Sequence, residues 1–179
     1  MLPSLRVFRV VPFVTSLMPN PAWRNEPWRQ RSGIMRDTML EQVVLDTNVL
    51  VAGMRSSRGA SHRILQWIGT GRFGTHVSVP LVLEYEEILL RKSPELGISP
   101  ADIRDFLDYI CSVSTHHAID FLWRPLLRDP DDDMVLELAV QAGCRDIVTH
   151  NIRDFAGAES LGVHAILPRT FLNRIGGKR

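Results

Sequence analysis

Carboxylates at the ends of apolar runs are the residues of this chain best placed to do chemistry. Asp46 closes the run VVLD. Glu84 and Glu86 lie in PLVLEYEEILL, Asp129, Asp131, Asp132 and Asp133 crowd into RDPDDD, and Asp154 stands in NIRD just after DIVT. Asp46, Glu84, Asp132 and Asp154 follow one another at intervals of 38, 48 and 22 residues, so only a fold can bring them together. Carboxylates gathered at short range repel, and they must either take up protons or surround a divalent cation. A donor set made wholly of oxygen suits Mg2+ or Mn2+, hard ions that keep waters for substrate phosphates.

Each acid also has a plainer reading. Asp46 precedes Thr47 and Asn48 and can form an Asx-type turn with them. In PLVLEYEEILL the residues Leu81, Val82, Tyr85, Ile88 and Leu89 share one helical face; Glu87 lies opposite, and Glu84 and Glu86 flank the face equally. Asp129 and Asp131 fit the start of a helix, where backbone amides and the dipole favour acids. Asp132 falls on a flank of the apolar stripe Met134–Ala142 and Asp133 on its solvent side. Asp154, between Arg153 and Phe155, fits an ordinary surface position. The six histidines (His62, His76, His116, His117, His150 and His164) lack metal-ligand spacing; His150, next to Thr149, is the one nearest the candidate acids.

The elements that would position these acids alternate in type. QVVL at 42–45 reads as a strand covered on both faces. SHRILQWIGT at 61–70 is helical with glycine stops, THVSV at 75–79 a strand, and PLVLEYEEILLRK at 80–92 a helix with proline at its first position. Ser99-Pro100-Ala101-Asp102 starts a further helix whose buried face is Ile103, Phe106, Leu107 and Ile110. MVLELAVQA at 134–142 is helical, DIVT at 146–149 and VHAIL at 163–167 are strands, and 169–175 closes as a helical turn. Alternation with short connections predicts a three-layer α/β/α domain with a mainly parallel, Rossmann-like sheet, whose sites lie at the carboxyl ends of the strands.

Composition bounds the rest. With 179 residues and 45% hydrophobic content the chain is one domain, or one domain with a tail. No apolar window is long enough to span a membrane. Cys111 and Cys144 form neither a disulfide framework nor a CxxC site, which fits a reducing, cytoplasmic setting. The net charge of +1 hides an asymmetry: residues 1–39 hold six Arg against Glu26 and Asp37, whereas 40–179 hold 15 basic and 18 acidic residues. Of the 21 basic residues only Lys92 and Lys178 are lysines. Residues 1–38 carry five prolines and no sustained period, and Pro12 and Pro19 break the apolar stretch 10–18 against a signal-peptide reading. They are expected to be a flexible leader or a start-site artefact, with the folded domain at 39–179.

Taken together, LDTNVLVAG, SVPLVLEYEEIL, RDPDDDMVLELAVQAG and DIVTHNIRDF, in that order and approximate spacing over 43–170, resemble a PIN domain of the toxin-component subgroup. The resemblance implies a divalent-metal-dependent nuclease, usually acting on RNA, at a site formed by Asp46, Glu84, Asp132 and Asp154. It selects Glu84 over Glu86 and leaves Asp133 as a neighbouring alternative for the third acid. Thr149 and Asn151 match polar positions around the fourth; the neutral amide of Asn151, where other members carry Asp, makes a tight second metal position less favourable.

The chemistry implied is phosphodiester hydrolysis by Mg2+ or Mn2+ on Asp46, Asp132 and Asp154, with Glu84 holding a second ion or orienting the attacking water. Arg55, Arg58 and Arg153 are candidates for gripping an RNA backbone. An antitoxin peptide inserting Arg among the acids, docked on the helices at 81–90 and 103–110, and a homodimer are the partners implied. Two other classes compete. A haloacid-dehalogenase phosphatase needs a second Asp where Asn48 stands and a lysine between Lys92 and Lys178, where there is none. A PIN-like binding module without cleavage needs no acids, and here all four are present.

Overall fold

The computed structural model describes residues 40–119 and 126–176. The leader expected at 1–38 lies outside them. Five strands, β1 (Gln42–Leu45), β2 (Gly74–Ser78), β3 (Thr115–His117), β4 (Asp146–Val148) and β5 (His164–Ile166), form one sheet in the order β3-β2-β1-β4-β5. Every pairing is parallel, with Val43 opposite both Thr75 of β2 and Asp146 of β4. Val43 and Val44 point to opposite faces of β1 and both are fully buried, so helices cover both sides of the sheet.

Among the described residues five α-helices lie between strands and a sixth follows β5: α1 (Thr47–Arg55), α2 (Ala60–Trp67), α3 (Val79–Leu96), α4 (Pro100–Val113), α5 (Pro130–Gln141) and, after β5, α6 (Pro168–Gly176). Their starts follow local chemistry. Asp46 caps α1, Ser78 caps α3, Ser99 caps α4 by accepting from the Asp102 amide at 3.1 Å, and Asp129 caps α5 by accepting from the Asp131 amide at 3.1 Å. Each cap satisfies an amide that the helix itself leaves without a partner.

Several elements differ from the sequence expectation. DTNVLVAG, rich in β-branched residues, turns into α1 directly after β1; the Asp46 cap and burial of Val49, Leu50 and Val51 override the weak helix propensity of valine. Helix α3 runs past Lys92 through Pro94 to Leu96. Pro94 forfeits one hydrogen bond near the end, and Gly97, at φ 66°, closes the helix on the Ser93 carbonyl. The segment 115–117, too polar to read as a strand, pairs with β2 at the sheet edge. Residues 168–176 form a full helix rather than a single turn.

Close packing of α1 on α2 fixes the rear of the future site. A Cβ on Gly53 would stand 2.6 Å from Leu65 Cδ1 and 3.1 Å from the Ser61 backbone, so only glycine lets the helices approach this far. His62 Nδ1 donates to the Gly53 carbonyl at 2.9 Å across the same contact.

Candidate active site

Direction of travel through the sheet reverses between β1 and β4, and a crevice opens outside their carboxyl ends, as such sheets dictate. Asp46 stands on one side of it and Thr149 on the other. The Asp46 amide donates to the Val148 carbonyl at 3.0 Å, holding the two strand ends together. Asp46 Oδ1 accepts from the Asn48 amide at 3.2 Å, which is the Asx-type turn; Oδ2 accepts from Asn48 Nδ2 at 2.7 Å and from the Thr149 hydroxyl at 2.5 Å. The Asx-turn reading of Asp46 therefore holds, and the same side chain lines the cleft.

Asn48 and Thr149 knit the crevice further. Asn48 Nδ2 donates to Thr149 Oγ1 at 3.0 Å, and Asn48 Oδ1 accepts from the His150 amide at 3.0 Å. Thr149 Oγ1 also accepts from the Asn151 amide at 2.9 Å, and the Thr149 side chain is fully buried. Burial pushes the Asp46 carboxyl above its usual range, and the nearby Asp154 charge adds to this, while the Thr149 hydroxyl and the Asn48 amide act the other way.

Helix α3 contributes Glu84. Thr47 donates to Glu84 Oε1 at 2.6 Å, and Oε2 is buried with no hydrogen-bond partner among the described residues. Burial raises the pKa of Glu84, and the charges of Asp46 and Asp131 raise it further. The neighbouring acids go elsewhere: Glu87 pairs with Arg91 on the surface at 3.4 Å, and Glu86 does not line the cleft. The next residue, Tyr85, is buried and donates its hydroxyl to the Leu45 carbonyl, tying α3 to the last residue of β1.

Asp132, in the first turn of α5, also lines the cleft. Its pKa is pushed up to about 7, first by burial and then by the charges of Asp46, Asp154, Asp129 and Glu84. Asp133 is not on the solvent side, as its position relative to the apolar stripe suggested. It is 1% exposed, and its Oδ1 accepts from the Leu127 amide at 2.8 Å. Helix α5 is buried around most of its circumference, through Val135, Leu136, Leu138 and Ala139, so a one-face stripe misjudges which positions meet water.

Asp154 sits in the 3-10 turn Ile152–Phe155, anchored by the fully buried Phe155. It is exposed, yet close enough for its charge to raise both Asp46 and Asp132. The cleft measures about 430 Å³, and Asn151 and His150 line it beside Asp46, Glu84 and Asp132. His150 Nε2 lies 2.9 Å from the Ser61 hydroxyl.

Residues 42–153 match the family model of the PIN domain. The chain belongs to the PIN-domain family. Among solved structures it is similar to VapBC2 from Rickettsia felis bound to a DNA fragment from their promoter, with a TM-score of 0.50 and 13% identity, over 70% of this chain and 98% of that chain. At that identity the likeness concerns the fold. No curated protein matches the chain in sequence.

The PIN domain has the donors a hard cation needs. Its cleft acids are all oxygen donors, burial and the charge of Asp46 raise both Glu84 and Asp132, and Glu84 Oε2 is a buried acceptor with no partner among the described residues. Among the described residues no three His, Cys, Asp or Glu side chains already surround one point as ligands. Asp46, Glu84 and Asp132 line the cleft, and Asp154 stands close enough for its charge to reach Asp46 and Asp132. Sequence reasoning missed Thr47, which fixes Glu84, and the wall residues Ile88 and Lys92. The signal for the last two was present: Glu84, Ile88 and Lys92 recur every four residues on one helical face. The helices at 81–90 and 103–110 offer less apolar docking surface than expected, because Leu81, Tyr85, Leu89, Ile103, Phe106, Leu107 and Ile110 are core. Val79 and Leu83, 71% and 59% exposed, are the apolar residues that α3 turns outward. No helix of the described residues is long and apolar enough to cross a membrane.

Proposed function

We propose that this PIN domain is a ribonuclease that hydrolyses RNA phosphodiester bonds with Mg2+ or Mn2+ at Asp46, Glu84, Asp132 and Asp154. The observation that carries the reading is the convergence of Asp46, Glu84 and Asp132 on one cleft at the switch point of the sheet, where burial raises all three and the charge of Asp46 raises the other two. Buried acids that resist ionising are poised to bind a cation that stabilises their charged forms. When bound, the ion polarises the scissile phosphate and acidifies its own water.

The chain's own residues then have distinct tasks. Thr149 and Asn48 hold the Asp46 carboxylate in one orientation. Thr47 occupies one oxygen of Glu84 and leaves Oε2 to orient the attacking water and accept its proton. Asp132 and Asp154 complete the negative wall, and Asn151 presents an amide rather than a fifth charge beside it. The same reading includes a toxin role, with an antitoxin whose Arg fills the acidic cleft bidentately, and a cytoplasmic setting.

The test is cleavage of a labelled RNA by the full chain with Mn2+, with Mg2+ and with chelator. Ion-dependent cleavage that disappears in Asp46→Asn while the melting midpoint holds would support the proposal. Cleavage that survives Asp46→Asn, or ion-dependent binding with no cleavage, would refute it and favour a binding module. Growth arrest on expression, relieved by a neighbouring small gene, would test the toxin role.

A further inference from the structure

Helices α1 and α3 lie side by side and run the same way, with contacts at both ends. At the amino ends Thr47 donates to Glu84 at 2.6 Å, and toward the carboxyl ends Arg55 pairs with Glu95 at 3.3 Å. Between these two contacts the cleft floor changes character in order. It begins with the acids, continues over Val51, Ala52 and Ile88, and ends at Arg55 and Lys92. The distance from Glu84 to Lys92 along α3 is eight residues, about 12 Å at the helical rise.

We propose that this trough is a nucleotide subsite, in which the base and sugar next to the scissile phosphate lie on Val51 and Ile88 and the following phosphate is held by Lys92 and Arg55. The proposal rests on the nuclease reading, which places the scissile phosphate at the acids. The cations then stand within reach of the neighbouring phosphate of an extended strand. Lys92 is the sole lysine of the described residues, is half-buried in the wall, and has no carboxylate within ion-pair range among them. Among the described residues Arg55 is engaged only in an exposed pair with Glu95, which water screens and a phosphate can replace. The apolar stretch gives a base a face to lie on without reading its identity. A cleft of about 430 Å³ between two helices has room on the scale of a small ligand, which fits one unpaired nucleotide and its neighbouring phosphate. On the nuclease reading the ligand class is therefore unpaired RNA.

The experiment measures binding of a short labelled single-stranded RNA to the full chain in chelator, where no cleavage intervenes, across a salt series. Lys92→Gln and Arg55→Gln should each weaken binding about tenfold. Each should also lower the slope of log affinity against log salt by about 0.7. Glu95→Gln should tighten binding by freeing Arg55, a gain that misfolding cannot produce. With Mn2+ present, the preference for this RNA over a dinucleotide lacking the next phosphate should fall in Lys92→Gln. Unchanged affinity and salt slope in both Gln variants would overturn the proposal, as would duplex RNA competing as well as single-stranded RNA. Loss of binding to an acidic peptide without loss of RNA binding would make the trough a protein groove instead. A chain that binds in this manner but never cleaves would sink the nuclease reading alone.

Discussion

The Thr149 hydroxyl donates to Asp46 Oδ2 at 2.5 Å across 103 residues of sequence, joining the carboxyl end of β4 to that of β1 inside the core. The same oxygen accepts from Asn48 and Asn151, so Thr149 has no rotational freedom left to lose. An acid buried beside three donors is held in one pose, which is what positioning a cation or a water requires.

Thr149→Val keeps the shape and removes the hydroxyl. Asp46 then loses its buried donor, and stability should fall by about 1–3 kcal/mol, as for a buried acceptor stripped of its partner. The Asp46 pKa should rise further, so the pH of half-maximal nuclease activity should move upward. Denaturant melts and a pH–rate profile check the two halves. Unchanged profiles would mean that the hydroxyl is structurally idle.

Asp132→Asn should abolish cleavage and stabilise the metal-free protein. The Asp132 pKa of about 7 in the fold lies above its ordinary 3.8. Its protonated form is the one the fold prefers, so this contribution is full below pH 3.8 and is lost as pH rises through 7. The melting advantage of the Asn variant should accordingly grow with pH and level off above 7. Mn2+ should raise the wild-type midpoint, by about 2.7 kcal/mol of stability at a hundred times its dissociation constant. It should raise the variant's much less. Calorimetry with and without Mn2+ at two pH values decides this.

Asp133 separates structural from chemical acids. Asp133→Ala leaves the Leu127 amide without its acceptor and should cost about 1–3 kcal/mol. Asp133→Asn keeps an oxygen for that amide and should cost less, with cleavage retained. Loss of cleavage in a well-folded Asp133→Asn would move the catalytic role from Asp132 to its neighbour.

Acid stability has a second source away from the cleft. His76 is buried between His117 and Gln42, donating from Nε2 to Gln42 Oε1 at 2.9 Å and accepting at Nδ1 from His117 at 2.8 Å. Burial and the facing His117 lower its pKa from 6.5 to about 4. Its neutral form is favoured in the fold, so the stability it supports is present above pH 6.5 and is lost as pH falls toward 4. This is opposite in sign to the cleft acids. His76→Asn should flatten the decline in melting midpoint over that window relative to wild type.

Strands β1, β4 and β5 were legible as short runs rich in apolar residues next to a helical period, and β2 by the alternation of THVSV. The edge strand Thr115–His117 was not, since half-exposed polar residues carry no alternation for a pattern to catch. The acids were legible as candidates but not as a set. Glu84 and Glu86 lie on either flank of Tyr85, about 100° apart from it in opposite directions around the helix. Which flank faces the cleft depends on how α3 crosses α1, and no local signal encodes that. Asp133 misled for a similar reason: it is buried on a helix that packs around most of its circumference and accepts from the Leu127 amide before the helix, neither of which the helix's own period encodes.

The strand order also sets when the chain can act. Asp46 and Glu84 emerge early in synthesis, but Asp132, Thr149 and Asp154 come from the last third of the chain, and β4 must slot in beside β1 before any of them meet. A nascent chain still lacking β4 holds Asp46, Glu84 and Asp132 without the strand that brings Thr149 and leads to Asp154. The cleft is not complete until nearly the whole domain has left the ribosome, so on the nuclease reading proposed above the transcript being translated is spared until synthesis is almost done.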